Sequence, residues 1–159
     1  MSNRTGSMPD SAGPRRSRPK GTSAALREEA RLAALQRYGV YAPGADGTFD
    51  DLTRLAAHAC GAEVVALTFL GRERVWIPSA VGWPPGEVLL DGRCHGVMLE
   101  HEELVVADAA REPLLAELPL LRGTPPLRAF AAVRVDSADG HALGMLCVLG
   151  RHARELNGA

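Results

Sequence analysis

The sequence predicts an α+β domain: a central antiparallel sheet of five to six strands with N-terminal helices packed on one face. Three observations predict it. Two stretches with apolar residues at helical spacing come first, at about 22–39 and 48–61. Beyond Gly61 the apolar residues gather into runs of strand length. Those runs come in pairs around short turns, 63–70 with 74–81 and 128–135 with 142–149, so that neighbours pair antiparallel. Helices grouped ahead of paired strands do not make the alternating pattern of a parallel sheet.

Each element follows from local chemistry. Thr22 or Ser23 can cap a first helix through Ala25, Leu26, Leu32, Leu35 and Tyr38, with Gly39 as its stop. Pro43, Gly44 and Gly47 make a loop. Thr48 or Asp50 then starts a second helix with Leu52, Leu55, Ala56 and Ala59 on one side, and Gly61 ends it. The run 63–70 is a buried strand and 74–81 pairs back on it across 71–73. The segment 82–86 reads as a loop, because two prolines and two glycines cannot continue a ladder. A short helix is predicted over 91–100, capped by Asp91, with Cys94, Val97 and Met98 on one side. A short strand at 103–106 and an irregular helical stretch at 112–121 precede the last hairpin, whose turn carries Asp139-Gly140.

The chain has 159 residues, enough for one domain, and 46% of them are hydrophobic, enough to bury a core. The net charge of −1 gives no whole-chain attraction to nucleic acid or anionic membrane. The charge is uneven, since residues 1–22 hold five cations (Arg4, Arg15, Arg16, Arg18, Lys20) against Asp10 alone. This tail is polar, without periodicity, and reads as a disordered, solubilising segment ahead of a domain at 23–157. It is no signal peptide, and no run of 18 apolar residues could span a membrane. Three widely spaced cysteines, Cys60, Cys94 and Cys147, form no zinc spacing, so a cytoplasmic protein with reduced thiols is expected.

At this point the residues resemble a known family. The stretch RLAALQRYGVYAPGADGTFDDLTRLAAHACGAEVV resembles the opening of bacterial GAF domains, and ALTFLGRERVWIPSAVGW their first hairpin. EELVVADAAREP and LRAFAAVRVDSADGHALGMLCVLGRHARELN resemble the middle strand and the closing hairpin. The resemblance spans about 27–157 and implies a GAF/PAS-like sheet with a small-molecule pocket on one face and dimerisation through the terminal helices. Relatives of this kind precede histidine kinases, cyclic-dinucleotide enzymes and phosphatases, so a kinase, cyclase or phosphatase partner and a homodimer are implied. Such domains usually close with a long C-terminal helix, which is missing here: 151–159 stands where it should begin. Relatives often carry Cys-Ala-His in the short helix, where this chain has Cys94-His95-Gly96.

Eight residues are candidates to touch a ligand: Trp76, Trp83, Cys94, His95, Met98, Arg122, Arg128 and Phe130. Cys94-His95 resembles the bilin-attachment site of phytochromes, but a buried free cysteine behaves as a small hydrophobe. Adjacent helical side chains also diverge, which argues against a Cys–His nucleophile. Arg93 and the helix N-terminus would favour a Cys94 thiolate, so a redox switch is weighed as well. Trp76, Trp83 and Phe130 can stack on a flat ligand or simply pack in the core. Arg122 and Arg128 flank 123–126 and can hold a phosphate or carboxylate, or be solvated. His101 lies among Glu100, Glu102 and Glu103, but consecutive residues do not converge on one ion, so no metal is expected. No P-loop, dinucleotide fingerprint, nucleophile elbow or kinase signature is present.

The expected function is therefore a small-molecule-sensing or regulatory domain of bacterial signalling that acts through a partner and is not an enzyme. No cofactor is required, although a bilin or another small molecule fits the pattern. The alternative is a pure interaction or dimerisation domain whose pocket is filled by Met98, Leu99 and Trp76. A cysteine-based redox enzyme, on the precedent of free-standing GAF proteins that reduce methionine sulfoxide, is a third reading.

Overall fold

Lys20–Arg37 forms helix α1 and Asp50–Cys60 forms helix α2. The computed structural model describes residues 20–41, 47–89, 96, 98–116 and 126–153. α1 buries Arg31, Ala34 and Leu35, one face at spacings of three and one. Leu26 and Tyr38, expected on the buried stripe, are instead 65% and 52% exposed, because the face centred on Arg31 meets the sheet. Tyr38 uses its hydroxyl to accept the Ala138 N–H from the last turn.

α2 departs further from its apolar pattern. Leu52 and Leu55 face outward, and the buried residue of the helix is Thr53. Its hydroxyl lies 2.8 Å from that of Ser79, and Ser79 Oγ donates to Asp50 Oδ1 at 2.5 Å. A hydroxyl–hydroxyl–carboxylate chain thus docks α2 on the sheet, with Asp50 at the positive end of the helix. Phe49, not Thr48 or Asp50, is the N-cap, and it makes no side-chain cap bond. Gly61 ends α2 in the left-handed region (φ 55°), with cap N–H groups reaching the Ala57 and His58 carbonyls.

The strands are β1 Val64–Leu70, β2 Arg74–Val81, β3 Gly86–Leu89, β4 Glu103–Val106, β5 Ala129–Asp136 and β6 Ala142–Gly150. They form one sheet in the order β3-β2-β1-β6-β5-β4, antiparallel throughout. β1 lies at the centre with all seven residues buried, which accounts for its unbroken apolar run. β3 was not expected: Gly86 was read as the end of a loop, yet it opens an edge strand that pairs with β2 from Ile77 to Arg74. Pro84 and Pro85 precede that ladder and cost it no donor.

β2 carries a bulge. Leu67 faces Ser79, but two residues on, Phe69 faces Trp76, so two steps on β1 match three on β2. The extra residue falls at Ile77-Pro78, where a proline is tolerated, and it inverts the faces of everything before it. Ser79 and Trp76 both lie on the helix side, and Val75 and Ile77 turn to the other side.

The two faces have separate cores. On the helix side Ala34, Leu35, Val40, Leu67, Phe69 and Leu143 pack together with Phe49 and Trp76 against them. The distal face buries Ile77, Phe130, Ala132, Met145, Cys147 and Leu149 beneath connecting segments that carry Met98, Ala109, Leu115 and Leu127. Among the described residues those segments hold short helical pieces: 98–100, the 3-10 turn Ala109–Arg111 and the turn Pro113–Ala116. The predicted 91–100 helix is seen at 96 and 98–100; Asp91, Cys94 and Val97 lie outside the described residues, as do 1–19 of the N-terminal tail, 117–121 and the end at 154–159. Residues 20–22 already belong to α1, so that Thr22 and Ser23 lie within the helix and do not cap it.

Candidate functional site

Three of the eight sequence candidates gather on the distal face. Phe130 rises from β5 and Met98 from the segment before β4, both buried in one cluster with Ile77 and Met145. Trp83, in the turn between β2 and β3, packs partly buried against the same cluster. Trp76 does not join them. The β2 bulge sends it through to the helix side, where its ring meets Tyr41 edge-on at 6.1 Å. Cys94, His95 and Arg122 lie outside the described residues.

Arg128 sits where β5 begins and is already engaged. Its Nε and Nη2 donate to both carboxylate oxygens of Asp108 at 2.8 and 2.5 Å. Asp108 also caps the 3-10 turn by accepting the Ala110 N–H. The Arg128 hydrogen bond holds the Asp108 carboxyl below the usual carboxylate range. This fork-on-carboxylate geometry is the one Arg128 would offer an anionic ligand, so an anion at this corner would have to displace Asp108. Asp108 carries no signal in the sequence because its partner is 20 residues away, at the entry to β5.

Cys147 is buried on the distal side of β6, and burial pushes its thiol up to about 12. Cys60 is exposed on α2, across the sheet from it. Ellman's reagent at pH 8 is therefore expected to modify Cys60 of a Cys94→Ser variant rapidly. Cys147 should react at least about 100-fold more slowly until denaturant is added, because the thiolate is the nucleophile. Equal rates would contradict the burial. The sign of the linkage follows: a thiol raised from 9.0 to about 12 contributes stability that is present below pH 9 and lost as pH rises towards 12. Cys147→Ala should flatten that alkaline loss in urea titrations.

Among the described residues, no group of three or more His, Cys, Asp and Glu side chains is placed to hold a metal ion. No helix among them is long and apolar enough to cross a membrane.

The profile of the GAF domain family matches residues 44–157, most of the chain. The chain belongs to the GAF family. Its sequence is 27% identical over 128 residues to a cyclic di-GMP phosphodiesterase of Pseudomonas aeruginosa, covering 80% of this chain and 22% of that protein. The chain therefore spans about a fifth of the length of this relative. The GAF domain of a phosphoenolpyruvate-protein phosphotransferase from Coxiella burnetii superposes with a TM-score of 0.57 at 16% identity, covering 82% of each chain. Free methionine-R-sulfoxide reductase from Neisseria meningitidis, solved with its substrate, gives 0.52 at 20% identity, covering 82% of this chain and 77% of that one. These structural likenesses establish the fold: a six-stranded antiparallel GAF sheet with helices on one side. The sequence relative connects the domain to bacterial signalling proteins.

Proposed function

We propose that this GAF domain is a regulatory module of bacterial signalling that binds a small molecule on the distal face of its sheet and passes a change of shape to a partner. The observation that carries this reading is the difference between the two faces. α1 and α2 pack on one of them; among the described residues the other is covered by connecting segments and single turns, which can rearrange around a ligand at little cost in regular structure. Trp83, Met98 and Phe130 supply apolar walls there, and the Arg128–Asp108 pair supplies a charged corner. A ligand switches the domain by binding two arrangements of these segments with different affinity. The domain itself is not an enzyme in this reading. Its output runs through a kinase, cyclase or phosphodiesterase-type partner in the cytoplasm, and the outward Leu26, Leu52 and Leu55 of α1 and α2 offer apolar surface for a second copy.

A second reading has its own observation. Met98 and Phe130 are only 7% and 4% exposed, so this part of the distal face is already packed by the protein, as in a pure interaction domain. Native mass spectrometry of the full chain, repeated after denaturation, separates the two. A retained extra mass that leaves on denaturation supports the sensor. Bare chain mass from material bound and eluted without dialysis supports the interaction domain, and a mass that survives denaturation points to covalent attachment at Cys94. Turnover of free methionine sulfoxide by the purified chain with a thiol reductant would overturn the non-enzymatic reading.

A further inference from the structure

The bulge that removes Trp76 from the distal face places it in a second cleft on the helix side. We propose that this cleft binds a small aromatic zwitterion of the amino-acid type, independently of the distal face. Two adjoining clefts of about 380 and 400 Å³ share Tyr41, Gly71 and Arg72. The first adds Glu73, Arg74, Trp76 and Glu87, and the second runs along α1 past Glu29 and Leu32. This size suits a small organic ligand.

Three features define the ligand. Trp76 and Tyr41 stand at 63° to each other and give a flat ring one face and one edge to pack on. Among the described residues the Trp76 Nε1–H is closed off from solvent and has no acceptor, a condition rare in native proteins and removed when a ligand oxygen arrives. That oxygen reaches the N–H only after a local rearrangement at the cleft, where the neighbouring Tyr41 ring is 42% exposed. Charge sets the rest. Arg72 and Arg74 alternate with Glu73 and Glu87 around the first cleft, so its field favours neither a polyanion nor a polycation. Each arginine is more than half exposed and donates to one glutamate, Arg72 to Glu29 at 2.7 Å and Arg74 to Glu87 at 2.8 Å. A guanidinium has five donors, so each can also take a ligand carboxylate while the glutamates face its ammonium.

The test uses the full chain labelled with 15N. Only two indole N–H resonances exist, from Trp76 and Trp83, and Trp83→Phe assigns them. L-Phenylalanine and L-tyrosine are titrated, with phenylacetate and phenethylamine as single-charge probes. The expected result is a saturable downfield shift of the Trp76 indole proton with the amino acids, with Trp83 unmoved. Either single-charge probe should bind at least tenfold more weakly. Arg74→Gln, which loses one exposed ion pair and should move the melting curve little, should weaken the amino acids at least tenfold. No saturable shift of Trp76, or equal response to all four probes, overturns the proposal. Movement of Trp83 alone also overturns it, while supporting a ligand on the distal face.

Discussion

Gly144→Ala is expected to cost about 3 kcal/mol or more, enough to leave a domain of ordinary stability largely unfolded on mild warming. Gly144 lies on β6 opposite Phe69, in the central ladder of the sheet. A Cβ there would lie 1.8 Å from the Thr68 carbonyl oxygen, 2.7 Å from its carbon and 2.9 Å from Phe69 Cα. All three are backbone atoms of β1, so no side chain can turn away and the strands themselves must part. The approach is held from both sides, because the buried Thr68 hydroxyl donates to the Met145 carbonyl and accepts the Met145 N–H. Opening it breaks these bonds in a place closed to water. Gly96→Ala, where the added carbon meets nothing within 4 Å, is the control and should stay within about 0.5 kcal/mol. Urea melts of both variants decide the matter, and a Gly144→Ala midpoint close to the parent would mean that β1 and β6 are not this close.

Replacing Arg31 by methionine should cost about 3 kcal/mol. This arginine is 5% exposed on α1. It forks onto Glu28 at 2.8 and 2.9 Å, and its Nη1 donates to the Leu70 carbonyl at 2.7 Å and the Ala142 carbonyl at 3.3 Å. It therefore ties the helix to the end of β1 and the start of β6 at once. Arg31→Met removes the fork from Glu28, 25% exposed at its side chain, and takes a donor from the Leu70, Gly71 and Ala142 carbonyls. Arg31→Lys should restore little, since an ammonium cannot reproduce the fork. The double variant Glu28→Leu with Arg31→Met should regain more than half of the loss, because a buried ion pair is dearer to break than to replace with packing. A single variant within about 0.5 kcal/mol of the parent, or a double variant no better than the single, would show that the pair does not carry the docking of α1.

Much of this architecture is legible in the residues. The seven-residue apolar run of β1, the Asp139-Gly140 turn and the Gly61 cap specify strand, hairpin and helix end through local sterics, and each stands where its pattern puts it. Period alone was a poorer guide to which side an element buries. α2 carries a leucine stripe, yet it turns Thr53 inward, because the hydroxyl chain through Ser79 to Asp50 satisfies polar groups that are buried wherever this helix docks. On α1 the inward face is centred on an arginine, which a hydrophobicity count assigns to solvent.

The candidate site shows the same division. Phe130 and Met98 share the distal face, on elements far apart in the chain. Trp76 would share it too if β2 alternated strictly from Ser79 onward, and one extra residue at the bulge sends it to the other side. Asp108, which occupies the fork of Arg128, has no signal in sequence, since the two are 20 residues apart and meet only when β5 is laid against the segment after β4. The sequence by itself determined the class of fold, the order of its elements apart from β3, and the family, because those depend on local period and turn chemistry. The tertiary structure decided which face each side chain serves, because a bulge, a buried polar chain and a close backbone approach depend on what the neighbouring strand presents.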